Sequence, residues 1–517
     1  MRWQSHPVIY EINTVVWLRD LGHRFGRPVT LGDVPAEAWD EVALPGVDVV
    51  WLMGVWERSP AGLSIAQANE ELRRSWREAL PDVRPEDVVG SPYCVRGYVV
   101  DASLGGPGGL VAAREELARR GVRLLLDYVP NHVAPDNPWV REHPEYFVRG
   151  DAVDLERDPS AFIQVDGSVL ALGRDPYFPP WPDVVQLNAF APQLRDATAD
   201  VLAEIGSQCD GVRCDMAMLL MNDIFARTWG ERAGSPPPQD FWPQVLGSVR
   251  SRQPDMLFVA EAYWDMEWAL QQQGFDFCYD KRLYDRILHE SARDVRGHLQ
   301  ADIAYQRKLL RFLENHDEPR AAATMPRDKE CAAAVAIATL PGATLWHEGQ
   351  FEGRRVRPPV FLARRPDEPL DGELRDFYGR LIEAVHASGM RDGEWRLLDS
   401  TGWPDNATSE NLLAWSWWGP ERHVVVVNLS DQPAQARIQL PWDDLRDRRW
   451  RLSELTVDVT FDRDGGELAD AGLFVALDGW RWHLISVVEA PVPVGAGQPV
   501  GGSGSRISEA TSFARRS

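Results

Sequence analysis

The chain has 517 residues, 44% of them hydrophobic, which exceeds one ordinary domain and is ample for a sizeable core. Its 55 basic residues against 78 acidic ones leave a net charge of −23, so nucleic acid is excluded as an expected partner, because phosphate binding needs a basic face; a neutral sugar is compatible with that charge. Cys94, Cys209, Cys214, Cys278 and Cys331 are odd in number and scattered, which suits reduced thiols rather than a disulfide framework or a zinc site.

The first residues, Met1-Arg-Trp-Gln-Ser-His-Pro, enter an apolar run with no signal core, and no later run approaches the ~20 residues that span a bilayer. A soluble, cytoplasmic protein with no membrane partner is expected. Eight strand candidates follow in order: Val8 to Asn13, Asp48 to Met53, Val122 to Tyr128, Gly211 to Asp215, Leu257 to Glu261, Phe275 to Tyr279, Leu309 to Leu313 and Ala343 to His347. Runs such as Val122 to Leu126 are apolar without alternation, which suits strands buried on both faces. Helix-like stretches lie between several of them, such as Gly109 to Arg120 and Gln193 to Gly206, the alternation of an α/β fold.

Between 130 and 185 the periodicity fades into Pro-, Asp- and aromatic-rich sequence, read as a functional insertion and not a spacer. The barrel-like remainder would occupy 1–129 and 186–392. From 393 to 490 short alternating strands take over, among them Leu412 to Trp418, His423 to Asn428, Ala436 to Leu440 and Trp482 to Val487, as in a β-sandwich. From 491 to 517 the chain is rich in Gly, Ser and Pro and reads as a disordered tail.

Four of the strand candidates end in carboxylates: Leu-Leu-Asp127 with Asn131-His132, Gly211-Val-Arg213-Cys-Asp215, Phe258-Val-Ala-Glu261, and Phe312-Leu-Glu-Asn315-His316-Asp317. One such segment is weak, because Asp and Asn after a strand are ordinary turn and capping residues. Acidic residues collected repeatedly at strand ends point to a site on the rim of a parallel barrel. The four in this order resemble the four short conserved regions of the α-amylase family, glycoside hydrolase family 13. The resemblance runs from Val8-Ile-Tyr-Glu-Ile-Asn13 to near residue 490 and implies a (β/α)8 TIM barrel, a small insertion domain after the third strand, and a C-terminal antiparallel β-sandwich.

The resemblance also implies roles. Retaining glycoside hydrolysis needs an ionised carboxylate as nucleophile and a protonated one as acid, typically about 5–5.5 Å apart; by the family pattern these are Asp215 and Glu261. Arg213, two residues before Asp215 and so on the same side of the strand, would hold that carboxylate ionised. Apolar neighbours would keep Glu261 protonated, tuning the two groups in opposite directions. Asp317 resembles the third acid, which grips sugar hydroxyls. His132 and His316 match the sugar-bonding histidines, Asp127 and Asn131 brace the first loop, and Tyr93 matches the aromatic platform beneath the reacting sugar.

Departures from the pattern matter too. Met218 and Leu219 stand where endo-acting members commonly carry Lys and His, and Cys94 replaces the Asp that grips the terminal sugar in many α-glucosidases. No metal or cofactor is expected: the family's calcium segment is not recognisable, His347-Glu348-Gly-Gln is not HExxH, and Gly105 to Gly109 reads as a helix-initiating turn. The cluster Arg354, Arg355, Arg357, Arg364 and Arg365 reads as a solvated loop, while admitting phosphate or a phosphorylated sugar. Three functions compete. The first is a retaining glycosidase acting on short α-glucosides or malto-oligosaccharides. The second is an α-glucanotransferase, or a phosphate-using relative, with the same glycosyl-enzyme intermediate. The third is a catalytically silent glucan-binding protein.

Overall fold

The structure, a computed structural model, describes residues 3–491, so the predicted tail over 492–517 lies outside the described residues. All eight strand candidates enter one closed parallel barrel: β1 (Val8–Asn13), β2 (Val49–Met53), β3 (Arg123–Tyr128), β4 (Gly211–Cys214), β5 (Leu257–Ala260), β6 (Phe277–Tyr279), β7 (Leu309–Arg311) and β8 (Ala343–His347). Each pairs with its sequence neighbours, and β1 closes the ring on β8 with Val8 opposite Thr344.

The apolar runs are continuous because both faces of each strand are buried. Ile9, Val49, Trp51, Leu125, Val259, Leu310 and Leu345 pack inside the barrel. The alternate residues Tyr10, Val50, Leu124, Leu126, Val212, Phe258 and Trp346 pack outward, in the larger core that includes the helices. The helix over Gly106–Arg119 starts on Gly105, whose φ of 109° suits glycine, as the turn reading expected.

Residues 132–186 carry more order than the insertion reading gave them. His132–Val133, Trp181–Gln186, Ser168–Gly173 and Phe162–Val165 form a four-stranded antiparallel sheet, packed on Val140, Tyr146, Phe147 and Leu187. Its hairpin turns on Asp166 and Gly167, at φ 47° and 80°, and an Asp-Gly pair between apolar residues is a strong short-range hairpin signal.

The C-terminal part stacks a six-stranded antiparallel sheet on a three-stranded one. Four strands match the expected runs within two residues at each end; Glu394–Leu397, Ser400–Thr401, Arg449–Glu454, Thr460–Asp464 and Leu473–Leu477 join them. Ala414, Val424 and Val426 face the smaller sheet, while Leu413, Trp415, Trp417, Val425 and Val427 join the main core against the barrel. The Ala-rich helix over Arg327–Thr339 is therefore buried nearly all round, and Trp417 Nε1 donates to its terminal carbonyl, Thr339 O, at 2.7 Å. Among the described residues no helix is long and apolar enough to cross a membrane.

Candidate functional site

Because the strands are parallel, the residues just past their C-terminal ends meet on one rim. Asp215 extends the β4 ladder, its N–H donating to Tyr128 O at 2.9 Å, and Glu261 extends β5 with its N–H on Cys214 O at 3.1 Å. Between them stands Arg213, fully buried. Its Nη1 donates to Asp215 Oδ1 at 2.8 Å and lies 3.6 Å from Asp127 Oδ1; its Nη2 lies 2.8 Å from Glu261 Oε2. The rings of Trp51, Tyr93 and Tyr279 surround the guanidinium at 5.3, 5.4 and 5.6 Å, and Nε donates to the Tyr279 hydroxyl at 3.3 Å. Three carboxylates and three aromatic faces thus hold one cation, which compensates its desolvation.

The expected contact between Arg213 and Asp215 is present, but the opposite tuning of the two carboxylates is not. One guanidinium serves both, and burial outweighs it in each: Glu261 is pushed up to about 7, and Asp215 is also raised. Glu261 further accepts from the Met216 N–H at 2.6 Å and the Tyr263 hydroxyl at 3.0 Å. The carboxylate held low is Asp317. Partial desolvation works against its charge, although its side chain stays 43% exposed, and His316 Nε2 at 2.9 Å keeps it well below the usual range.

Asn315 shapes the turn that presents Asp317, its Oδ1 accepting from Asp317 N at 2.9 Å and Glu318 N at 2.8 Å. Behind it, His316 Nδ1 pairs with the buried carboxylate of Glu11 on β1. Burial disfavours the imidazolium, but Asp317 and Glu11 keep His316 protonated well above the usual histidine range. Tyr93 stacks on this ring at 5.4 Å, its hydroxyl 2.7 Å from Nε2. Both His316 nitrogens therefore face protein groups, which the sugar-bonding expectation did not include.

Asp127 lies beneath the rim as a brace. Its Oδ2 accepts from Trp51 Nε1 at 3.1 Å and Gly54 N at 3.2 Å, its carbonyl accepts from Trp56 Nε1 at 2.7 Å, and burial lifts its carboxyl to about 6. Asn131 exchanges amide hydrogen bonds with Gln186 at 2.9 and 3.3 Å, tying its loop to the insertion sheet. His132 packs at 5.1 Å from Trp181, and burial drops it to about 4, leaving it neutral.

The departures from the family pattern are buried. Met218 and Leu219 lie in the short helix Ala217–Leu220 that follows Asp215, and Cys94 donates through Sγ to Asp183 O at 3.0 Å. The arginine cluster divides: Arg355 and Arg357 are exposed, as a solvated loop expects, and donate to the carbonyls of Ala322 and Asp317, whereas Arg364 pairs with Asp87 and Asp82 and Arg365 with Asp20 and Glu348. Sequence reading missed Glu11, Trp51, Tyr263 and Tyr279. Glu11 had a signal, as a lone carboxylate inside an apolar strand; the other three look like ordinary core aromatics until the strands are placed side by side.

No family model matches the chain. It is 23% identical over 450 residues to the α-amylase MalA of Haloarcula japonica, covering 83% of this chain and 56% of that protein. It is 26% identical over 413 residues to the α-1,4-glucan:maltose-1-phosphate maltosyltransferase of Burkholderia pseudomallei, covering 77% of this chain and 32% of that one. The chain thus spans about half and about a third of these relatives. The crystal structure of the maltogenic α-amylase AmyB of Thermotoga neapolitana superposes with a TM-score of 0.65 at 19% identity, over 93% of this chain and 98% of that one, which shows a shared fold.

Proposed function

We propose that the chain, similar to α-amylases in sequence and fold, is a member of the α-amylase family and a retaining α-glycosidase acting on short α-glucosides or malto-oligosaccharides. One observation carries the reading: two carboxylates from adjacent strands meet on the two ends of one buried guanidinium. This favours the separation of about 5–5.5 Å of retaining pairs over the roughly 6.5–9.5 Å that admits a water between them.

Asp215 attacks the anomeric carbon while Glu261 protonates the departing oxygen; Glu261 then takes a proton from the water that releases the sugar from Asp215. A carboxyl lifted to about 7 is still substantially protonated near neutral pH, as an acid must be. Asp317, ionised on the exposed side of the rim, stabilises the positive charge that develops on the sugar ring. Buried Met218, Leu219 and Cys94 offer no grip on distant sugars, which supports short substrates. Five buried, unpaired cysteines agree with a cytoplasmic location.

The maltosyltransferase relatives favour a second reading, transfer of the same glycosyl-enzyme to another sugar or to phosphate. The test is a panel of α-1,4-, α-1,6- and α,α-1,1-linked glucosides, with maltose to maltoheptaose and glycogen, with and without phosphate. Glucose or maltose as sole product supports hydrolysis. Longer oligosaccharides or a sugar phosphate support transfer, and no product refutes both.

A further inference from the structure

We propose that Tyr263 is a positioning residue which, with the backbone N–H of Met216, decides which oxygen of Glu261 carries the transferable proton. The inference rests on Glu261 being the acid. Its two oxygens have unequal neighbours. Oε2 accepts from the Met216 N–H at 2.6 Å and lies 2.8 Å from Arg213 Nη2. Both are obligate donors, so a proton on Oε2 would face two others with nothing to accept it. Oε1 is bonded by the Tyr263 hydroxyl at 3.0 Å. A hydroxyl donates to an ionised carboxylate and accepts from a protonated one, so it serves both halves of the cycle. The proton is therefore held on Oε1.

The backbone is built for this. Met216 sits at φ 41°, ψ 46°, a left-handed conformation uncommon without glycine, and this turn aims its N–H back at the neighbouring strand's carboxylate. The next amide, Ala217 N–H, donates to Glu261 O at 3.2 Å, so consecutive N–H groups hold both the side chain and the main chain of the acid. On the other side, Trp264 and Asp265 follow Tyr263 at φ 60° and 61°. Arg282 pins Asp265 at 2.6 and 2.9 Å, and Trp264 meets Tyr177 of the insertion edge-on at 4.8 Å. The segment carrying Tyr263 is thereby fixed at both ends.

The charged and titratable groups facing this pair are few. Glu261 faces Arg213, Asp215 and Asp317; Tyr263 faces Glu261, Asp317, Glu318 and Tyr279. Arg213, the cation among these groups, contacts Oε2, and the hydrogen bond recorded at Oε1 comes from Tyr263. As the glycosidic bond breaks, the proton leaves Oε1 for the departing oxygen and Tyr263 donates to the carboxylate formed. As water adds to the anomeric carbon and Asp215 departs, its proton returns to Oε1.

Tyr263→Phe in the full chain keeps the ring and removes only the hydroxyl. The lost donor had favoured the ionised form, so the pKa of the acid rises and the alkaline limb of kcat/KM moves up by about one pH unit. On a maltoside kcat falls about tenfold, while an activated aryl glucoside, which needs little protonation, changes by less than about threefold. An unmoved alkaline limb, or equal losses on both substrates, overturns the proposal. Glu261→Gln separates the two layers of inference: equal loss on both substrates there refutes the acid assignment itself. A readout independent of turnover is the infrared carbonyl band of protonated Glu261, identified by its loss in Glu261→Gln. In Tyr263→Phe it should shift in frequency and titrate at higher pH; an unchanged band refutes the role.

Discussion

Replacing Arg213 by Lys tests the centre of the site. The guanidinium makes two contacts of 2.8 Å, to Asp215 and Glu261, and lies 3.6 Å from Asp127, inside three aromatic rings. One ammonium is a point charge and reaches one carboxylate at that distance, not both. The Asp215 contact is a charge-assisted hydrogen bond, worth about 1.5–3 kcal/mol at about 1.4 kcal/mol per pKa unit, so Asp215 rises by about one to two units if deserted. Glu261, 2.8 Å from Nη2 as an ion pair without a hydrogen bond, rises in the same direction. Asp215 must be ionised to attack, so if it is the one deserted, the acid limb of kcat/KM moves up by that amount. If Glu261 is deserted, the alkaline limb moves up instead.

Stability follows the same sign. Breaking a buried charge network costs about 3–5 kcal/mol. Asp127 and Glu261 already have folded values raised to about 6 and 7. A raised carboxyl contributes stability that is present below its unfolded value, about 4, and lost as pH rises through the folded one. The deficit of Arg213→Lys should therefore be largest above about pH 7 and shrink towards pH 4. The assays are pH profiles on an aryl α-glucoside and urea unfolding at several pH values. Two unmoved limbs with a deficit independent of pH would refute the reasoning.

Asp215→Asn should lower turnover by roughly a thousandfold or more while the protein melts at or above the wild-type temperature, because a neutral amide removes a buried charge; retained turnover in a folded variant removes the nucleophile assignment. Glu11→Gln takes one of the two carboxylates from His316, whose raised pKa stabilises the fold below about pH 6.5 and loses that contribution as pH rises through the folded value. The variant should lose about 3–5 kcal/mol in denaturant unfolding, most of it on the acid side; a loss confined to alkaline pH contradicts the pairing. Gly342 has φ 97°, and an added Cβ would lie 2.3 Å from Leu309 O and 2.8 Å from Gln306 O, backbone atoms with nowhere to move. Gly342→Ala should cost about 3 kcal/mol or more, read by unfolding, and a neutral result would contradict this packing of β7 against β8.

The barrel was legible because it is a local pattern repeated. Each strand is buried on both faces, so Val49 to Met53 or Leu124 to Leu126 shows as an uninterrupted apolar run; Asp215 and Glu261 follow their strands at once, Asp127 lies near the end of its own, and Asp317 comes six residues after Arg311. The insertion sheet was missed because its Asp-Gly hairpin sits in a stretch dominated by proline and aromatic residues, although the turn signal was there. The strand at Leu473–Leu477 is buried at Leu473, Val475 and Leu477 and exposed at Phe474 and Ala476, but all five residues are apolar, so the sequence shows no alternation there.

The sequence by itself thus determined the parallel barrel, its rim and the carboxylates on it, since a buried strand and the residue after it are written in consecutive positions. Tertiary structure alone decided how those carboxylates are tuned. Arg213 reaches Glu261 as well as Asp215, Glu11 reaches His316 across 305 residues, and Tyr263 and Met216 take separate oxygens of one carboxylate. A pKa depends on distance and burial in three dimensions, and closing the barrel brings β1 beside β8 and lines up β4 with β5, neighbours that no spacing along the chain records.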